Sequence, residues 1–152
     1  MFKTEIIGND LYIYGTSNLN LEMTLDCGQA FRWSSDDGIV WKGSAYNRYL
    51  ELYMQDDILI LKNTTPEDFH NIWKNYFDLE RNYGEIIEKI SQNEILKTAS
   101  EYGSGIRILN QEPWETLCSF IISQNNNIPR IKGIIDRLCE NFGEKQGNFY
   151  TF

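Results

Sequence analysis

Short runs in which apolar and polar positions alternate mark the first part of the chain. They cover residues 11–14, 31–33, 39–42, 49–53 and 58–61, divided by turn residues such as Ser34-Ser35-Asp36-Asp37-Gly38. This spacing predicts an antiparallel meander. In Tyr49-Leu50-Glu51-Leu52-Tyr53-Met54 one face carries Tyr, Glu and Tyr and the other Leu, Leu and Met, so one side packs and the other stays amphipathic. A single sheet of this kind needs helices to cover it.

The period then changes. Thr65 caps a helix with Pro66 in its first turn, and Phe69, Ile72, Trp73, Tyr76 and Phe77 recur at steps of three and four. Two shorter helices follow, one with Ile86, Ile87 and Ile90 and one with Ile95, Leu96, Ala99 and Tyr102, ending at Gly103-Ser104-Gly105. Pro113 opens a helix with Trp114, Leu117, Cys118, Ile121 and Ile122 on one face. A second has Ile131, Ile134, Ile135, Leu138 and Phe142, with Gly143 as its stop. The polar link 123–127 joins the two into a helical hairpin. The reading is α+β: a twisted antiparallel-sheet domain covered by helices over 1–105, then the helical start of a second domain over 106–152.

Both hairpin helices carry more apolar surface than they can hide against each other, and Phe149-Tyr150-Thr151-Phe152 is apolar without a closing element. The expectation is a helical domain cut short. Its Trp114, Ile121, Ile122, Ile131, Ile135 and Leu138 surface would stand exposed and drive self-association of the fragment.

Composition narrows the function. The 152 residues are 41% hydrophobic and 24% charged, within the range of folded domains, and 14 basic against 22 acidic residues leave a net charge of −8. Bulk electrostatics therefore repel nucleic acid and anionic membranes, and any DNA contact must be local. Three cysteines, Cys27, Cys118 and Cys139, without a CxxC and with His70 as the single histidine, argue against zinc and against a disulfide framework. Without a continuous apolar leader or an 18-residue apolar run, the chain reads as soluble, cytoplasmic and free of membrane partners. His70 falls on the polar side of its helix, and the pairs Asp36-Asp37 and Asp56-Asp57 sit at turns, so neither a triad nor a metal site nor an acid dyad is expected. No cofactor is implied.

Two segments stand out. The hairpin tip, Ser123-Gln124-Asn125-Asn126-Asn127-Ile128-Pro129-Arg130, is a run of neutral amides followed by a guanidinium. It reads either as a capped turn, since asparagine accepts left-handed geometry and caps helices, or as a contact for base edges and phosphate, with Arg130 and Lys132 as a local positive spot. In Asp26-Cys27-Gly28-Gln29-Ala30-Phe31-Arg32-Trp33, Gly28 suits a turn of positive φ, and Phe31 and Trp33 suit a core.

Together, Cys-Gly-Gln-Ala-Phe-Arg-Trp and the later Ser-Phe-Ile-Ile-Ser-Gln-Asn-Asn-Asn-Ile-Pro-Arg-Ile resemble the 8-oxoguanine DNA glycosylase family, in colinear order over nearly the whole chain. The resemblance implies a TBP-like sheet domain followed by the first helices of a helix-hairpin-helix glycosylase domain. It implies a base-excision-repair glycosylase and abasic-site lyase that removes 8-oxoguanine opposite cytosine in damaged double-stranded DNA, an activity of the bacterial or archaeal nucleoid. Gly28 would offer its carbonyl to the lesion's N7–H, Asn125 would enter the space left by the flipped base, Arg130 would read the orphaned cytosine, and Asn126 and Asn127 would join the DNA contact.

The resemblance also implies a catalytic lysine and aspartate on a helix-hairpin-helix segment further along. None of Pro66, Pro113 and Pro129 is followed by glycine, so no such segment occurs here. Lys42 and Lys132 lie on ordinary patterns and do not replace the nucleophile, so no catalytic residue is assigned in this chain, and the fragment alone is expected to be inactive. Two other readings stay open: a non-catalytic protein- or DNA-binding module, and a glycosylase of the alkylbase type. The expected partners are damaged duplex DNA and the missing helical half.

Overall fold

The structure is a computed structural model that describes residues 2–152. Six strands form one antiparallel sheet: β1 (Lys3–Ile7), β2 (Asp10–Tyr14), β3 (Trp33–Ser35), β4 (Trp41–Ala45), β5 (Arg48–Gln55) and β6 (Ile58–Leu61), in the order β1-β2-β6-β5-β4-β3. The register sets Leu11 opposite Leu61, Leu61 opposite Leu52 and Leu52 opposite Trp41, so one apolar row crosses four strands.

Sequence patterning anticipates five of these strands and misses β1. Most of its residues are exposed, so no alternation betrays it. A short helix, α1 (Leu21–Leu25), is also unanticipated; Asn20 caps it by accepting from Met23 N at 3.0 Å. The third and fourth strands start two residues later than expected. Asp37 Oδ1 accepts from Ile39 N (2.8 Å) and Val40 N (2.9 Å), which holds this stretch in a turn and leaves Ile39 in solvent.

The covering helix starts where expected. Thr65 Oγ1 accepts from Asp68 N at 3.1 Å, and Pro66 follows. It runs as α2 (Pro66–Asp68), a π turn (Phe69–Trp73) and α3 (Lys74–Tyr76). The wider turn lets Phe69, Trp73, Tyr76 and Phe77 all point into the core, the last three against Trp33 and Phe69 against Phe2. Trp33 Nε1 donates to Tyr76 Oη at 2.7 Å, satisfying both polar ends inside the cluster, and burial pushes the Tyr76 hydroxyl far above its ordinary range.

Helices α4 (Tyr83–Ile90) and α5 (Glu94–Tyr102) follow. The segment beyond Gly105 remains part of the sheet domain. Buried Arg107 donates to the carbonyls of Ser17 (3.0 Å), Asn18 (3.1 Å) and Asp78 (2.7 Å) and lies over the Tyr83 ring, and Leu109 belongs to the first core.

The helical hairpin is α6 (Pro113–Ser123) and α7 (Ile128–Phe142). Two expectations need correction. Residues 149–152 are not left uncovered, as β7 (Lys145–Gln146) pairs with β8 (Phe149–Tyr150) and Tyr150 packs back on α7. Tyr150 and Phe152, with Phe31 and Ile122, cover Ile131, Ile135 and Cys139 in a second core, so Ile131 and Ile135 are buried rather than exposed. Trp114, Leu117, Phe120 and Ile121 do remain exposed on α6. Gly143 caps α7 with an extended backbone rather than a left-handed one; glycine is needed there because the Thr151 carbonyl passes where a Cβ would stand.

Candidate nucleic-acid interface

The segment 26–33 lies between the sheet and the helical hairpin, and its side chains divide between them. Trp33 enters the first core, Phe31 joins the second, and Arg32 between them reaches the hairpin and the chain end. Arg32 pairs with Glu115 of α6 at 3.6 Å and donates to the Tyr150 carbonyl. Burial pushes the Glu115 carboxyl above its ordinary range although Arg32 opposes the shift; Asp136 is raised by burial in the same way.

Gly28 sits at φ +85°, a conformation that suits glycine. A Cβ there would stand 3.8 Å from Ile128 Cδ1, so the requirement is backbone conformation and not space. That contact brings Gly28 to the first residue of α7, next to the amide tip. The next residue fixes the turn. Gln29 donates to the carbonyls of Thr24 (2.9 Å) and Arg107 (2.8 Å), accepts from Leu109 N (3.0 Å), and offers its own carbonyl to Gln111 Nε2 (2.5 Å). Periodicity could not reveal this anchor. Its one sequence signal was a glutamine directly after a turn glycine.

The tip divides its amides between two tasks. Asn127 caps α7, accepting from Arg130 N at 3.1 Å. Asn126 closes the turn by donating to the Ile122 carbonyl (3.1 Å) and accepting from Asn127 N (3.1 Å). Asn125 stands at φ +52°, exposed, with its amide bonded to no described residue. Arg130 projects from the first turn of α7, exposed and outside every ion pair among the described residues. Gln124 also turns inward, donating to the Phe120 carbonyl at 3.1 Å, so the capped-turn reading fits three amides, and Asn125 and Arg130 keep side chains without a partner among the described residues.

The local positive spot is smaller than the sequence suggests. Lys132 Nζ bonds Asp26 Oδ1 at 3.1 Å and the Trp33 carbonyl at 2.9 Å, so its charge is already matched and Arg130 stands alone. A cleft of about 660 Å³ opens between the sheet and α7, bordered by Lys42, Tyr49, Lys132, Asp136 and Phe149 and by none of the tip residues. Among the described residues no cluster of His, Cys, Asp and Glu could hold a metal ion, and no helix is long and apolar enough to cross a membrane.

Comparison with known proteins bears on this geometry. Residues 12–117 match the family described as 8-oxoguanine DNA glycosylase, N-terminal domain. The chain is 32% identical to the N-glycosylase/DNA lyase of Saccharomyces cerevisiae over 84% of its length, and 27% identical to the N-glycosylase/DNA lyase OGG1 of Arabidopsis thaliana over 79%. It spans 37% and 34% of those two relatives.

Among solved structures it resembles MBOgg1 in complex with a low-affinity DNA ligand (TM-score 0.93, 44% identity). It also resembles the Clostridium acetobutylicum 8-oxoguanine glycosylase/lyase in complex with duplex DNA carrying cytosine opposite 8-oxoguanine (TM-score 0.93, 36% identity). Each likeness covers 100% of this chain and little more than half of the other, 54% and 53%. A 3-methyladenine DNA glycosylase from Archaeoglobus fulgidus shares the fold at 16% identity and a TM-score of 0.68. By profile, sequence and structure together, the chain belongs to the 8-oxoguanine DNA glycosylase family.

Proposed function

We propose that this chain is the lesion-reading and opposite-base-reading part of a longer DNA glycosylase and abasic-site lyase that excises 8-oxoguanine paired with cytosine. The observation that carries the reading is the meeting of Gly28 with the start of α7. A left-handed glycine and a tip with free Asn125 and Arg130 share one end of the molecule.

The chemistry of recognition follows. 8-Oxoguanine carries an N7–H where guanine has an acceptor, so the Gly28 carbonyl gains a hydrogen bond with the lesion and meets acceptor repulsion with guanine, a difference of about 1–3 kcal/mol. Flipping the base costs a few kcal/mol, which Asn125 offsets by filling the vacated stack and Arg130 by bonding the orphaned cytosine. Asn126 and Asn127 hold the tip that presents them, through the turn and the helix cap. The nucleophilic lysine and assisting aspartate belong to a following helix-hairpin-helix segment. There the amine attacks the sugar C1′, the base departs, and the resulting imine permits β-elimination. The 152-residue chain by itself is inactive on this reading.

The test uses the protein as its own cell makes it. Its intact mass should exceed that of the 152 residues. It should cut a 5′-labelled duplex at 8-oxoguanine opposite cytosine and form a borohydride-trapped adduct, and the 152-residue chain should do neither. Cleavage no faster at 8-oxoguanine than at guanine, or competition by 3-methyladenine duplex at least as strong as by 8-oxoguanine duplex, would overturn the assignment.

A further inference from the structure

Gly28 can discriminate a lesion only if its carbonyl is held still relative to the helix that presents Asn125 and Arg130. The turn is anchored to the sheet domain through Gln29, and further along the segment Phe31 packs on α7 and Arg32 pairs with Glu115 of α6, but at Gly28 itself the contact with α7 is the flexible apolar one to Ile128. A single polar clasp joins α7 directly to the segment that carries Gly28. Lys132 lies on α7 one step beyond Ile131, whose side chain is buried in the second core, and this fixes the direction in which the lysine leaves the helix. Its ammonium bonds Asp26 Oδ1 at 3.1 Å and the Trp33 carbonyl at 2.9 Å, on either side of Gly28 in sequence. The Asp26 end is half exposed, whereas the Trp33 end is rooted in the aromatic core.

We infer that Lys132 is a positioning residue for lesion recognition: it pins the 26–33 segment to α7 and sets where the Gly28 carbonyl stands relative to the reading tip. The inference rests on the glycosylase reading above and deepens it. The ion pair is partly covered at Lys132 and half exposed at Asp26, so it adds only modestly to stability, and loss of the clasp leaves the fold intact and changes alignment. A hydrogen bond to the lesion is sensitive to such misalignment, because its strength falls steeply with angle and distance. Asn125 and Arg130 ride on the hairpin itself and keep their mutual geometry when the clasp opens.

The experiment measures two quantities for the protein as its own cell makes it. One is the half-saturating concentration for single-turnover excision of 8-oxoguanine opposite cytosine. The other is the dissociation constant for a duplex holding a tetrahydrofuran abasic site opposite cytosine, which has no base to meet Gly28. Lys132→Met should raise the first about tenfold, as for a misplaced hydrogen bond, and leave the second within about twofold. Asp26→Ala should act in the same direction, and Lys132→Arg, which keeps charge and donors, should recover most of the loss.

An unchanged first quantity in Lys132→Met and Asp26→Ala, or an equal rise in both quantities, would overturn the positioning role. Absence of 8-oxoguanine excision by the wild-type protein would instead mean that the functional reading had failed, and the inference with it.

Discussion

Gly28 and Ile128 face each other across the junction of sheet domain and helical hairpin, with space for a methyl group between them: a Cβ on Gly28 would stand at an ordinary 3.8 Å from Ile128 Cδ1. Substitution there is opposed by the backbone at φ +85° and not by crowding. Gly28→Ala should therefore cost about 1–2 kcal/mol of stability, the ordinary penalty for a left-handed alanine. In relieving that strain the turn should move its carbonyl and reduce discrimination of 8-oxoguanine from guanine. Denaturant unfolding measures the first effect and duplex binding the second. An alanine variant with wild-type values in both would show that the left-handed turn is dispensable.

The division of the tip amides gives a contrasting pair of variants. Asn127→Ala removes the acceptor that caps α7 and should cost about 1 kcal/mol of stability. Asn125→Gly keeps the left-handed backbone at φ +52°, removes an amide that no described residue holds, and should leave stability nearly unchanged. In the protein as its own cell makes it, Asn125→Gly should weaken excision and opposite-base selectivity. Equal loss of stability in the two variants would contradict the division.

Arg130→Ala isolates the charge at the tip. The side chain is exposed and outside every ion pair among the described residues, so thermal stability should stay within about 0.5 kcal/mol of wild type. Excision opposite cytosine should fall toward the rate opposite adenine. A cytosine preference equal to wild type would remove Arg130 from the recognition of the opposite base.

Where a signal was local, the sequence disclosed it. The stripe from Phe69 to Phe77, the Thr65 cap, the prolines at the starts of α2 and α6 and the Asn127 turn each place their information within one or two helical turns, and the structure has a helix at each. The π turn inside the stripe adds a residue without altering which side chains are apolar, so it leaves no mark in the pattern. Exposed β1 and the two-residue strands β7 and β8 are too polar or too short to show alternation. The site was legible as two motifs. Its assembly was not, because the bonds of Gln29 to Arg107 and Leu109, and of Lys132 to Asp26, join positions far apart in sequence. Lys132 therefore counted as free charge until its partner was visible.

The buried pair of Arg32 and Glu115 tests the second anchor of the hairpin. Arg32 Nη1 is buried with only the 3.6 Å approach of Glu115 to answer it, and its other terminal nitrogen donates to the Tyr150 carbonyl. Burial raises the Glu115 carboxyl more than Arg32 lowers it, so the folded protein holds this proton more tightly than the unfolded chain does. The sign of the linkage follows. Glu115 contributes its full stability below the ordinary glutamate value of 4.5, and the contribution is lost as pH rises through the raised folded value. Glu115→Gln mimics the protonated acid and keeps an oxygen for Arg32, so it should match wild type at acid pH and equal or exceed it at neutral pH. Arg32→Met removes the cation and leaves the carboxylate buried without a partner, which should cost about 3–5 kcal/mol at neutral pH. Adding Glu115→Gln to Arg32→Met should recover part of that loss, and urea unfolding of the four proteins at two pH values closes the cycle. A wild type that gains stability relative to Glu115→Gln as pH rises would mean that the attraction of Arg32 outweighs burial at this site.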